Sequence, residues 1–333
     1  MAARPKVAFI GTGGTISSLG WDSLDVLDYT ATGQRLDAEA ILARVPEART
    51  IADIVAVPFR AVPSPAIGFA EWRALANLCA ELAGAHPDLA GIVIGHGTAT
   101  LEETAYALSL TLAVDCPVVM VGAQRPISAL SSDAGLNLVA ALRTAADPAS
   151  RGRGVLVVLN DEIQAAREVT KTSVGRLQTF RTPDFGVLGQ VDGPAVRYYR
   201  RAERRHGPGT PFDIRALPTL PRVDVSYAYA DADGTAVRAF VAAGAQGLVS
   251  AGLAPGMTPP GEADALAAAV AAGVIVVQST RAGSGVVPAT TRLRERGILS
   301  ADNLTPQKAR ILLALALTVS RDPADVTEMF ATY

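Results

Sequence analysis

Lys6-Val-Ala-Phe-Ile10 runs directly into Gly11-Thr12-Gly13-Gly14-Thr15, and Gly91-Ile-Val-Ile-Gly95 runs directly into His96-Gly97-Thr98-Ala99-Thr100. Each is a short apolar run closed by glycine, which reads as a buried strand leading into a turn. In an open parallel sheet, ligands bind outside the carboxyl ends of the strands. Two adjacent strands of this kind aim the hydroxyls of Thr12 and Thr98 at one crevice.

Outward from these strands, Val/Ile/Leu-rich runs alternate with amphipathic segments, the pattern of βα units around a parallel sheet. The first half predicts strands at 6–10, 53–59, 91–95, 117–122 and 154–160, with helices at 66–84, 101–113 and 132–146. From Asn160 to Gln190 the pattern loosens into hairpins and loops that are expected to cover the sheet. Residues 200–221 are rich in Arg, Gly and Pro and read as a linker. The alternation then restarts with strands at 222–228, 247–250 and 274–278, and helices at 234–243, 261–272, 306–319 and 323–331. The fold class is α/β: a doubly wound N-terminal domain over 1–199, the linker over 200–221, and a smaller α/β C-terminal domain over 222–333. Thr305 and Asp322 stand where each would cap a helix opened by proline.

With 333 residues and 49% hydrophobic composition the chain can build two cores. Thirty basic against 32 acidic residues, a net charge of -2, give no footprint for nucleic acid and no polybasic membrane anchor. Small-molecule chemistry is the expectation. The first apolar run is shorter than a signal-peptide core, and the longest C-terminal one, 311–319, is too short to span a bilayer, so the expected compartment is the cytoplasm. Cys79 and Cys116 read as reduced, buried thiols, and Trp21 and Trp72 as packing residues.

The first glycine loop is not a dinucleotide fingerprint, because Ile16 occupies the third glycine position of G-x-G-x-x-G. Residues 16–33 contain no clear helix, which suits a polar loop over a site. Threonine is a weak nucleophile and needs a base. Of the histidines, His86 and His206 lie in a turn and in the linker, and His96 suits backbone fixing as well as proton transfer. Lys171, in Val169-Thr-Lys-Thr172, is the conspicuous cation, although by itself it reads as a solvated lysine on a hairpin.

Several stretches taken together are more specific. Thr12-Gly-Gly-Thr-Ile16, His96-Gly-Thr-Ala-Thr-Leu-Glu-Glu-Thr-Ala105, Pro117-Val-Val-Met-Val-Gly-Ala123, Gly154-Val-Leu-Val-Val158, Val169-Thr-Lys-Thr172 and Thr305-Pro-Gln-Lys-Ala-Arg310 follow one another in the order found in bacterial-type asparaginases. The chain resembles that asparaginase/glutaminase family over essentially its whole length. The resemblance implies that Thr12 is the nucleophile of a covalent acyl-enzyme, that Thr98 and Lys171 form a base relay, and that Tyr29 is the lid tyrosine. It implies no metal and no organic cofactor. It also implies a homo-oligomer, tetramer or dimer, whose sites are completed across subunits.

The chain departs from this pattern on the wall that would read an amino acid's α-centre. The carboxylate expected after the second threonine is Ala99, and the serine-glutamine pair becomes Ser64-Pro65. The Gly-Asn-Gly turn of the second domain becomes Leu253-Ala-Pro-Gly-Met257, and no acid stands between Arg281 and Leu293. Ser64, Pro65, Gly97 and Ala99 are the expected substrate-binding positions. A buried charge whose partner is removed costs roughly 3–5 kcal/mol, so the expected substrate is a small amide, imide or lactam without a free α-ammonium group. The alternatives are an ordinary L-asparaginase that relocates its acid, with Glu295 or Asp133 as candidates, and a non-catalytic binding protein on the same scaffold.

Overall fold

The chain was analysed as a computed structural model that describes residues 3–333. It divides into two compact units, one ending at Pro208 and the other starting at Gly209.

In the first unit the strands are β1 (Lys6–Gly11), β2 (Asp53–Val57), β3 (Leu89–Gly95), β4 (Val118–Val121), β5 (Val155–Leu159), β6 (Glu162–Ala165), β7 (Thr170–Lys171), β8 (Phe180–Arg181), β9 (Gly189–Asp192) and β10 (Ala195–Tyr198). The helices are α1 (Ala38–Arg44), α2 (Ala48–Ile51), α3 (Phe69–Ala85), α4 (Leu101–Thr111) and α5 (Ala134–Ala146). Eight strands form one sheet in the order β10-β9-β6-β5-β4-β3-β1-β2, parallel from β2 to β5. Because β1 lies between β2 and β3, the strand order reverses there, and the chain leaves β1 and β3 toward opposite faces. That reversal opens the crevice in which α/β proteins bind ligands. Both faces of the sheet are covered, so its central strands are apolar on both sides: Val7, Phe9, Val93 and Val119 pack in one buried cluster with Ile41, Leu138 and Leu142.

The segment after Asn160 corrects the expectation of a cover. It does contain hairpins, but β6, β9 and β10 pair antiparallel and extend the sheet itself, leaving only β7 and β8 as a separate two-stranded ribbon. Arg200, at the start of the segment read as a linker, is paired with the buried Glu168 and donates to the carbonyl of Val187 at 3.2 Å.

The second unit contains β11 (Val223–Tyr227), β12 (Gly247–Gly252), β13 (Ile275–Thr280) and β14 (Leu299–Ser300), a parallel sheet in sequential order. Its helices are α6 (Thr235–Ala242), α7 (Pro260–Ala271), α8 (Thr291–Glu295), α9 (Pro306–Ala316) and α10 (Pro323–Thr332). Asp322 caps α10 by accepting from the Ala324 amide at 2.8 Å. Thr305 occupies the same position before α9, yet its hydroxyl makes no capping bond. Trp72 is buried and donates to the Thr104 hydroxyl at 3.0 Å, tying α3 to α4. Trp21 is 69% exposed and packs no core, and Cys116 is only half-buried, unlike Cys79, whose thiol burial pushes up to about 12.

Two glycines of the first unit differ in what they permit. A Cβ on Gly91 would stand 2.3 Å from the Ala145 carbonyl, whereas Gly84, inside α3, has open space around it. Gly91→Ala is expected to destabilise by about 1–3 kcal/mol through overpacking of β3 against α5. Gly84→Ala is expected to stabilise by roughly 0.5–1 kcal/mol through helix entropy. Denaturant midpoints of the two variants, moving in opposite directions, check the pair.

Candidate active site

The site is built where the turns after β1 and β3 touch. Gly13 and Gly14 adopt φ of 103° and 84°, which an L side chain resists. A Cβ on Gly14 would fall 2.2 Å from the Cα of Gly97, and one on Gly97 would fall 2.6 Å from the Cβ of Ser64. These glycines therefore exist for close backbone approach. They bring Thr12, Ser64, Gly97 and Thr98 into one cluster at the carboxyl edge of the sheet.

Thr12 is fully buried. Its amide and its hydroxyl both donate to the Gly95 carbonyl, at 2.9 and 3.0 Å, which clamps β1 to β3 at the point where both strands end. The loop that presents Ser64 is held in turn: the Val62 amide donates to the Thr12 carbonyl at 3.1 Å, and the Thr100 hydroxyl donates to the Ser64 carbonyl at 2.7 Å. The buried Glu71 accepts from the Gly68 amide at 3.0 Å and pairs with Arg60, anchoring the far end of that loop. Pro65 and Ala99 are both exposed.

Lys171 reaches the site from the small ribbon, and its Nζ donates to Thr98 Oγ1 at 2.9 Å. Burial pulls the lysine ammonium below its ordinary range, and the carboxylate of Glu102 opposes that shift. Glu102, buried in the first turn of α4, also accepts from the Lys171 amide at 3.3 Å. The acid near the Thr98–Lys171 pair is thus Glu102, which the sequence reading had not singled out. Its signal was available: it lies four residues after Thr98, where the turn becomes helix. Gln124, just beyond β4 at the same sheet edge, was also missed. Its side-chain nitrogen is buried without a hydrogen-bond partner, a free donor where the parallel strands end.

Tyr29 OH lies 2.9 Å from the hydroxyl of Thr15, the second threonine of the glycine turn. The two ends of the lid are closed by the Ser18–Arg35 bridge and by the Leu19 amide on the Gln34 carbonyl at 3.1 Å. Asp133 is committed elsewhere: its carboxylate accepts from the amides of Gln124 and Arg125 and from Asn137 Nδ2 at 3.0 Å. Glu295 lies in the second unit on α8.

His96 is buried completely. Its Nδ1–H donates to the Gly97 carbonyl at 2.8 Å and its Nε2 meets no partner, so the ring is neutral and props the turn rather than relaying protons. Among the described residues no cluster of histidine, cysteine or carboxylate side chains has the make-up of a metal site, and no helix is long and apolar enough to cross a membrane.

Residues 6–204 match the family described as Asparaginase, N-terminal, and residues 222–330 match the Glutaminase/Asparaginase C-terminal domain. The chain is 39% identical over 334 residues to the probable periplasmic L-asparaginase of Haemophilus influenzae, covering 100% of this chain and 94% of that protein. It is 36% identical to the glutaminase-asparaginase of Pseudomonas fluorescens biotype A, covering 98% and 90%. A solved structure, of the probable cytoplasmic L-asparaginase of Campylobacter jejuni, superposes with a TM-score of 0.93 at 37% identity, covering 99% of this chain and all of that one. The names of these relatives divide between periplasm and cytoplasm.

Burial lowers the imidazolium of His96 to about 4, against an unfolded value near 6.5. Between those values the unfolded chain binds the proton that the folded chain refuses, so this contribution is complete above pH 6.5 and lost as pH falls toward 4. The expected loss is about 3 kcal/mol across that window. Urea midpoints measured from pH 7 to pH 4 should fall less steeply for His96→Gln than for the wild type.

Proposed function

This chain belongs to the asparaginase family of amidohydrolases, enzymes acting on linear amides, and we propose that it hydrolyses, through a threonine acyl-enzyme, an amide whose α-centre carries no free ammonium group. The observation that carries this reading is the Lys171–Thr98 bond of 2.9 Å standing next to a position, Ala99, that offers only a methyl group. The relay residues are in contact, with Glu102 beside the lysine, while the carboxylate expected at position 99 is gone.

The chemistry follows from the groups present. Thr12 Oγ1 gives up its bond to the Gly95 carbonyl and attacks the amide carbon, forming a C–O bond. Its proton passes toward Thr98 and a Lys171 that has lost its own proton, which burial favours. Backbone N–H groups of the glycine turns receive the oxyanion. The C–N bond then breaks and the amine leaves with the relayed proton; water attacks the ester with the same relay acting as base, the bond from Thr12 Oγ1 to the acyl carbon breaks, the acid leaves, and the relayed proton returns to Thr12. Tyr29 and Thr15 close the wall on the lid side. Ser64 and Gly97 line the opposite wall, Pro65 contributes no side-chain hydrogen bond, and Gln124 supplies a donor suited to a neutral carbonyl of the substrate. A substrate ammonium would find no carboxylate at 99, and Asp133 is already saturated, so free asparagine is disfavoured relative to a site with its acid intact.

Ammonia or amine release from a panel of free, N-acylated, cyclic and des-amino asparagine and glutamine analogues tests this directly. Turnover is expected on the analogues without a free α-ammonium and to drop at least about a thousandfold in Thr12→Ala. Ala99→Asp is expected to move preference back toward free L-asparagine. Sub-millimolar KM of the wild type for free L-asparagine sinks the substrate assignment, and persistent turnover in Thr12→Ala sinks the nucleophile.

The relay makes a separate prediction for pH. If neutral Lys171 is the base, kcat/KM rises with pH as the lysine loses its proton. Glu102 holds that proton on, so Glu102→Gln is expected to shift the rising limb to lower pH on the best substrate of the panel. An unmoved limb would separate Glu102 from the relay.

A further inference from the structure

The first unit holds a cavity of about 330 Å³ at the amino edge of its sheet, the edge opposite the threonine turns. The last turn of α4, the starts of β4 and β5, and residues 206–208 enclose it. Leu112, Val118 and Val155 form apolar walls, and the polar side chains among them are few. An apolar hollow with a small number of polar groups is the usual make-up of a small-molecule pocket, and this one stands at the lower end of their range of roughly 300–1,000 Å³.

The polar end is set by Gly154, just before β5. A Cβ there would fall 3.0 Å from His206 Nδ1 and 3.1 Å from Ser109 Oγ, so the missing side chain lets the imidazole and the hydroxyl approach one point. Neither side chain has a hydrogen-bond or ionic partner among the described residues, and the polar atoms of both remain open to solvent. Ser150, another hydroxyl of the lining, is already spent on the Thr144 carbonyl and the Tyr198 hydroxyl at 2.6 Å each. Burial pulls the His206 imidazolium below its ordinary range with no charge nearby to oppose it, so the ring is neutral at pH 7. A neutral imidazole carries one donor and one acceptor, and a serine hydroxyl can act as either. Among the described residues that line the cavity, Asp115 alone is charged, and no lysine or arginine joins it.

We propose that this cavity binds a small neutral aromatic alcohol, a phenol, whose ring packs on Leu112, Val118 and Val155 and whose hydroxyl sits between Ser109 Oγ and the His206 ring. A phenolic hydroxyl donates one bond and accepts another, which pairs it with the acceptor nitrogen of His206 and the hydroxyl of Ser109 together. A carboxylate in the same place would find no cation and would meet Asp115 instead. A rigid ring also gives up little conformational freedom on binding. The cavity belongs to the first unit alone, at the far edge of the sheet from Thr12, and does not depend on the assignment of the nucleophile or of the amide substrate.

Phenol, toluene and benzoate titrated calorimetrically into the full chain test the proposal. Phenol is expected to bind with a Kd of about a millimolar. Toluene, which has the same shape without the hydroxyl, is expected to bind about tenfold more weakly because it leaves Ser109 and His206 unpaired, and benzoate is expected to bind more weakly still. A purely apolar hollow gives the opposite order for phenol and toluene, since toluene leaves water more readily. His206→Leu is expected to weaken phenol about tenfold while sparing toluene, and Ser109→Ala to weaken phenol by about threefold. The wild-type ranking decides the matter even if a variant fails to fold. Phenol binding that is absent at tens of millimolar, matched or surpassed by toluene or by benzoate, or undiminished in a folded His206→Leu overturns the assignment. Because the readout is binding and not turnover, such a failure leaves the amide chemistry standing.

Discussion

The contact on which the rest of the site depends is backbone against backbone: Gly14 on Gly97, with Ser64 on the far side of Gly97. Two turns that end neighbouring parallel strands cannot approach this closely if either bears a side chain. The approach lets one carbonyl, that of Gly95, accept from both the amide and the hydroxyl of Thr12. Thr12, the proposed nucleophile, is thereby fixed in place, and fixing it requires removing atoms rather than adding contacts. The strand order 2-1-3 supplies the crevice, and the glycines let the two threonine turns meet across it.

Around that contact the polar groups are arranged in a graded way. His96 is buried so fully that it stays neutral and serves the backbone. Lys171 is half-buried, so its proton is held less firmly than on a surface lysine, and Glu102 restrains the effect. Asp133, which a sequence search for a missing acid singles out, is saturated by two amides and Asn137, and it stabilises the turn after β4 instead. The same residue types thus take opposite roles according to how many partners burial leaves them, which is why residue type alone assigns none of them.

The strands and helices of the first unit were legible because apolar runs bounded by glycine and proline have few alternative structures. The antiparallel extension by β6, β9 and β10 was not, since short strands with mixed composition look like loops until the sheet edge they complete is present. The hydroxyl of Thr305 shows the limit of local rules as well: it has a capping residue's backbone without the capping bond. Trp21 shows the converse, a large apolar side chain left in solvent on the lid.

By itself, the sequence determined that two threonines end two apolar strands in glycine turns, that the chain has the family's motifs in order, and that no carboxylate stands at position 99. These are statements about local composition and chain order, which need no distances. Only the tertiary structure decided that Lys171, 73 residues from Thr98, lies within hydrogen-bond reach of it, that Glu102 is the acid beside them, and that Tyr29 meets Thr15. Those pairings join residues far apart in the chain or on opposite sides of a turn, and the physical reason is the same for each. A contact that depends on strand order and backbone approach has no signature in the sequence between its ends.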